Sequence, residues 1–138
     1  MYEVVVIGNP EFSTFPSSQG EPSRTLSGPA AYGIKTLLEM NHRHTAIVGS
    51  IGEDFRDEYQ HILSRLGSPE HFIIDSKTTG GFEYFQSVNG ELQVNRCLGV
   101  ASKIGVKEIP DEFLSSRTVV LSPMLQEIDD EFIQWICD

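Results

Sequence analysis

Cysteine is scarce in this chain. Cys97 and Cys137 are the only two, far apart in sequence. That excludes a disulfide framework and points to free thiols in a reducing cytoplasm. Long apolar runs are absent too. No stretch approaches the ~20 residues that a membrane helix needs. The start, Met1-Tyr2-Glu3, carries no basic region of the kind that opens a signal peptide. A cytoplasmic protein with no membrane partner is therefore expected. Bases are few: ten Lys and Arg stand against twenty Asp and Glu, a formal net charge of −10. Such a surface repels phosphate backbones, so no nucleic-acid partner is expected. His42, His44 and His61 have no Cys or carboxylate partners at metal-ligand spacing, so no metal site is expected. No Walker loop and no Gly-x-Gly-x-x-Gly occurs, which argues against a stand-alone dinucleotide-binding protein.

What is present alternates between strand-like and helix-like segments. Val4-Val5-Val6-Ile7-Gly8 and Thr45-Ala46-Ile47-Val48-Gly49 are short continuous apolar runs, suited to strands buried on both faces of a parallel sheet. Residues 71–74 and 118–121 read as further strands. Residues 10–26 are polar and Pro- and Ser-rich, open to reading as a loop or an exposed strand pair. Ser27-Gly28-Pro29 opens a helix, with Ser27 as the expected N-cap and Pro29 in the first turn. Ala30, Ile34, Leu37 and Leu38 share one face of it, and Asn41 is the expected stop. Residues 53–66 form the next helical pattern, with Phe55, Tyr59, Ile62, Leu63 and Leu66 in a stripe. Glu53 and Asp54 suit its positive end, and Gly67 ends it. Asn89-Gly90 between residues 81–88 and 91–98 is a hairpin signal, read as a type I′ turn. Residues 110–115 read as a helical turn or two, and residues 127–137 as a last helix carrying Ile128, Phe132, Ile133 and Ile136. The class is α/β, and a last helix with no strand after it reads as a cut inside a larger fold.

Three stretches carry a resemblance. Val4 to Gly8 is similar to the opening strand of the ribokinase-like (PfkB-type) carbohydrate kinases. Ser27-Gly28-Pro29-Ala30-Ala31-Tyr32 resembles that family's Gly-Gly-x-x-x-Asn signature at a helix start. Val48-Gly49-Ser50-Ile51-Gly52-Glu53-Asp54-Phe55 resembles its Val-Gly-x-x-Gly-Asp-Asp segment. Thr78-Thr79-Gly80 before the hairpin, and Leu121-Ser122-Pro123 with Glu127-Ile128, match more weakly.

The resemblance implies a ribokinase-like three-layer sandwich, with a partial, mostly parallel sheet and a small β lid. Residues 1–138 would be the N-terminal part of such a kinase domain, with lid segments at about 10–26 and 81–97. In this family an alcohol group of a sugar, polyol or nucleoside attacks the γ-phosphate of ATP. The family's base and anion hole lie in a late Asp-Thr-x-Gly-Ala-Gly-Asp segment. Nothing like it occurs here, so the resemblance implies no catalytic residue in this chain and no phosphoryl transfer by it alone. ATP and Mg would be bound mainly by the other half. The expected substrate contacts are Glu11, Ser13, Gly28, Tyr32 and Ser122. Glu11-Phe12-Ser13 stands where the family has Asn-x-Asp, Ser27 where it has the first glycine, and Tyr32 where it has the asparagine. Partners would be a small-molecule substrate and a second copy, joined as a homodimer through the aromatic-rich lid. The alternative is a non-catalytic small-molecule-binding or dimerisation module built on the same fold.

Overall fold

A computed structural model describes residues 1–17, 20, 22–67 and 69–138. The β-rich runs form β1 (Val4–Ile7), β4 (Thr45–Gly52), β5 (Glu70–Ser76) and β8 (Thr118–Leu121). They make one parallel sheet in the order β5-β4-β1-β8. Val5 and Ile7 point to one face and Val6 to the other, all fully buried. That two-sided burial, shared by β4, is why the central strands carry continuous apolar runs and do not alternate.

Helices cover both faces, giving three layers. On one, α1 (Pro29–Glu39) packs Ala30, Ile34 and Leu38 onto Val6 and Ile47. Beside it, α2 (Arg56–Arg65) joins Tyr59 and Leu63 to Ile51 and Phe55. On the other face, Phe113 of α3 (Asp111–Leu114) and Phe132 of α4 (Asp130–Cys137) meet Val5, Ile7 and Val48. No helix of the described residues is long and apolar enough to cross a membrane.

A second, mixed sheet stands beside the first. It contains β2 (Glu11–Phe15), β3 (Ser23–Ser27), β6 (Gly80–Gln86) and β7 (Leu92–Gly99), in the order β3-β2-β6-β7. The stretch left open between loop and strand pair is thus a strand pair, though Ser18, Gln19 and Glu21 lie outside the described residues. β2 runs parallel to β6, so segments distant in sequence share this sheet. Arg24 fastens it to the core. Its guanidinium lies 4.3 Å from the Phe12 ring and 5.1 Å from that of Phe55, and donates to the Asp54 carbonyl at 2.8 Å.

Several local expectations need correction. Ser27 does not cap α1: it ends β3, and Gly28 is the N-cap, with φ +89 and no side-chain cap. Pairing with β2 holds Ser27 in the sheet, so the turn falls to the glycine, which takes positive φ cheaply. α2 starts at Arg56 and not at Glu53, because Asp54 is engaged elsewhere: its carboxylate accepts from the Thr79 N–H at 3.0 Å and the Thr79 hydroxyl at 2.7 Å. α4 starts at Asp130, capped by Asp129, which accepts from the Phe132 N–H at 2.9 Å. The hairpin turn is not type I′. Only Gly90 has positive φ (+82), the Gly90 N–H bonds the Ser87 carbonyl at 2.9 Å and the Ser87 N–H bonds that of Glu91 at 2.8 Å. That is the three-residue loop with glycine in the left-handed position. Asn41 (φ 69) and Gly67 (φ 96) do end their helices as expected, and both cysteines are free and exposed.

Candidate functional site

The strand order reverses beside β1: the chain builds β4 and β5 on one side of it, then places β8 on the other. In open α/β sheets the crevice beyond the carboxyl ends of the strands at such a reversal is the usual ligand site. Here β1 runs on through Gly8-Asn9-Pro10 into Glu11. β8 runs on through Ser122-Pro123 to Met124. α1 begins close by, its first N–H groups lacking helical partners. A pocket of about 360 Å³ opens at this junction, lined by Glu11, Ser13, Ser27, Gly28, Pro29, Tyr32, Phe82, Tyr84 and Met124.

The segment that leads from β1 to Glu11 is held by one asparagine. The Asn9 Oδ1 accepts from the Ser50 N–H at 2.7 Å, its Nδ2 donates to the Ser102 carbonyl at 3.1 Å, and its N–H donates to Glu127 at 3.2 Å. Glu127, only 1% exposed, also accepts from the N–H groups of Met124 (3.0 Å) and Leu125 (2.8 Å). It thereby fixes the loop that puts Met124 on the pocket wall. Gln126 in that loop has φ +60, a strain the clamp sustains.

Glycines allow the close approaches. A Cβ on Gly49 would lie 2.4 Å from the Gly8 carbonyl oxygen and 2.6 Å from the Pro10 ring. One on Gly52 would lie 2.7 Å from Thr78 backbone. Both glycines lie within β4, and the space beside each is filled by protein, so this segment offers no cradle to a phosphate. Among the described residues no three His, Cys, Asp or Glu side chains converge as a metal cluster.

Glu11 is 1% exposed. Its Oε1 is buried without a hydrogen-bond partner. Burial, and secondarily the charge of Glu127, push its carboxyl up to about 7. Beside it the Ser13 hydroxyl donates to that of Ser27 at 2.7 Å. Phe15 stacks on Tyr84, centroids 5.1 Å apart, extending the aromatic wall outward.

The structure thus brings together Glu11, Ser13, Gly28 and Tyr32 around one pocket. Ser122 is not among its lining residues. Its N–H continues the β1–β8 ladder to the Ile7 carbonyl at 2.8 Å, and its own carbonyl closes against Gly8. Sequence reasoning did not single out Met124 or the role of Glu127, because their placement depends on a loop without a motif. Phe82 and Tyr84 were legible as an aromatic hairpin, but their facing depends on strand register.

No family model matches the chain. A cytidine kinase of Thermococcus kodakarensis is 28% identical over 127 residues, which is 92% of this chain and 45% of that protein. A pyrophosphate-dependent kinase of the ribokinase family, solved with a pyrophosphate analog and myo-inositol, superposes with a TM-score of 0.72 at 15% identity, over 96% of this chain and 45% of that one. A ribokinase from Giardia lamblia gives 0.70 at 18% identity, over 96% and 44%. The chain spans about half the length of the relatives it matches. It has the ribokinase-like fold, and its resemblance to the PfkB-type carbohydrate kinases fits their N-terminal half.

Proposed function

We propose that this chain is the substrate-binding and lid half of a cytoplasmic, ATP-dependent kinase acting on a hydroxyl of a sugar, polyol or nucleoside. The observation that carries the reading is the pocket at the strand reversal. It joins the free N-terminus of α1, a buried carboxyl and a serine pair beneath the wall formed by the mixed sheet. In it, Glu11 and Ser13 accept from or donate to substrate hydroxyls. Gly28 lets the substrate reach the α1 backbone, and Tyr32 closes the outer side. Ser122 is kept as a contact only for a substrate that reaches past Met124. The mixed sheet acts as the lid, and excluding water directs the phosphoryl group to substrate.

ATP and Mg enter by resemblance alone. Gly49 and Gly52 sit in β4 with protein filling the space beside them, which does not fit a phosphate donor, so the donor and the base are assigned to the part of the kinase fold this chain does not span, and the chain alone is inactive. The exposed apolar side chains of the mixed sheet, Leu92 and Val94, support a homodimer through the lid and also favour the alternative of a binding or dimerisation module.

Isothermal titration against sugars, polyols and nucleosides, with ATP run separately, tests the reading. Binding of one of these without ATP binding is expected. A folded chain that binds none of them sinks the substrate role and leaves the dimerisation module.

A further inference from the structure

Two carboxyl groups are buried at this site, and they are treated differently. Glu127 receives N–H groups from Asn9, Met124 and Leu125. Glu11 receives nothing on its buried oxygen. The space around Glu11 is nevertheless shaped for it. A Cβ on Gly28 would come 3.1 Å from its Oε2, and one on Gly80 3.3 Å from its Cγ. Glycines on both sides make room for a carboxyl that no protein donor then meets. Leaving such a group without a donor costs stability, and a ligand that supplies the donor recovers it.

The charges around it narrow what that ligand can be. Among the described residues, the titratable side chains facing Glu11 are Glu127, from the loop after β8, and across the pocket the phenols of Tyr32 on α1 and Tyr84 on β6. Among the described residues no Lys, Arg or His lines the pocket. The start of α1 contributes roughly half a positive charge. Glu127 alone outweighs that, and Glu11 adds to it whenever ionised.

We infer that Glu11 selects an uncharged, hydrogen-donating substrate over its phosphorylated counterpart, and that a proton leaves Glu11 for solvent as the substrate binds. The inference rests on the pocket being the substrate site. The proton balance follows from the two states. Free, the carboxyl at about 7 holds a proton in part of the molecules at neutral pH. Bound, it accepts hydrogen bonds from the substrate, which favour the ionised form. The O–H bond of Glu11 breaks and the proton passes to buffer; the substrate keeps its own hydrogens.

The test is titration calorimetry of the full chain with matched pairs: ribose and ribose 5-phosphate, fructose and fructose 6-phosphate, cytidine and its 5′-monophosphate. Each is run at pH 7 in two buffers of different ionisation enthalpy. The uncharged member of the binding pair is expected to bind at least about 10-fold more tightly, with release of about half a proton. Glu11→Gln is expected to weaken that binding about 10- to 100-fold and to abolish the release. Equal or tighter binding of the phosphorylated member overturns the inference and leaves the substrate site standing, as does proton release that survives in Glu11→Gln. Binding of no member of any pair removes the substrate site, and the inference with it.

Discussion

At the scale of the residue, Glu11 carries the most consequence. Its carboxyl is raised from 4.5 to about 7, chiefly by burial and then by Glu127. The folded protein therefore binds this proton more tightly than the unfolded chain. The associated stability is fully present below about 4.5 and is lost as pH climbs to about 7, where the cost of burying the charge is complete. The span corresponds to an upper bound of about 3 kcal/mol. Glu11→Gln removes the charge with nearly the same shape. It is expected to stabilise the fold at pH 8 by about 1–3 kcal/mol relative to the parent, and much less at pH 4, as read from urea midpoints. The same substitution is expected to weaken substrate binding at the proposed site. Stability gained where affinity is lost is the pattern of a group held for function. An equal effect at both pH values would show that Glu11 is not the strained acid described here.

At the scale of the element, the hairpin gives the sharpest test. Asn-Gly between two strands suggests a type I′ turn, in which both residues need positive φ. The structure gives positive φ to Gly90 alone. Gly90→Ala is expected to cost about 1 kcal/mol, and Asn89→Ala a few tenths. Thermal melts of the two variants decide it: comparable losses would restore the type I′ turn. The same scale explains the misplaced helix starts. Asp54 and Glu127 look like first-turn acids by sequence, yet each is spent on backbone N–H groups outside its helix, at Thr79 and at Met124-Leu125. A propensity argument sees a negative charge near a helix start; it does not see a competing donor brought close by another strand.

At the scale of the whole molecule, two surfaces could take a second copy of the proposed dimer. Tyr84 pairs with Val94 across β6 and β7, and Phe15 stacks on Tyr84, so an apolar face runs outward from the pocket along the mixed sheet. Leu92 and Val94 are 56% and 53% exposed on it. The second surface is β8, an edge of the parallel sheet with Val120 39% exposed. An unpaired strand edge invites pairing, but a broad apolar face removes more area from water. Light scattering at rising concentration is expected to show a dimer that Val94→Glu dissociates and Val120→Lys leaves intact. The opposite pattern would place the seam at β8.

Much of the fold was written in local pattern. Continuous Val and Ile runs between helical stripes define buried parallel strands, because two-sided burial leaves no polar face to alternate. Gly28 marks a turn, because glycine takes a positive φ without strain, and Gly49 and Gly52 mark close approaches of β4 to neighbouring backbone that leave no room for a Cβ. Those features are set within a few residues, so one sequence suffices to read them. The site's chemistry was decided by packing. Glu11 and Ser13 could be named as candidates, but nothing in Glu11-Phe12-Ser13 states that one oxygen of Glu11 is buried without a donor. Nor does it state that Glu127, distant in sequence, raises its carboxyl. A carboxyl's proton affinity depends on dielectric and on neighbouring charge, and both are set only when β1, β8 and the mixed sheet meet.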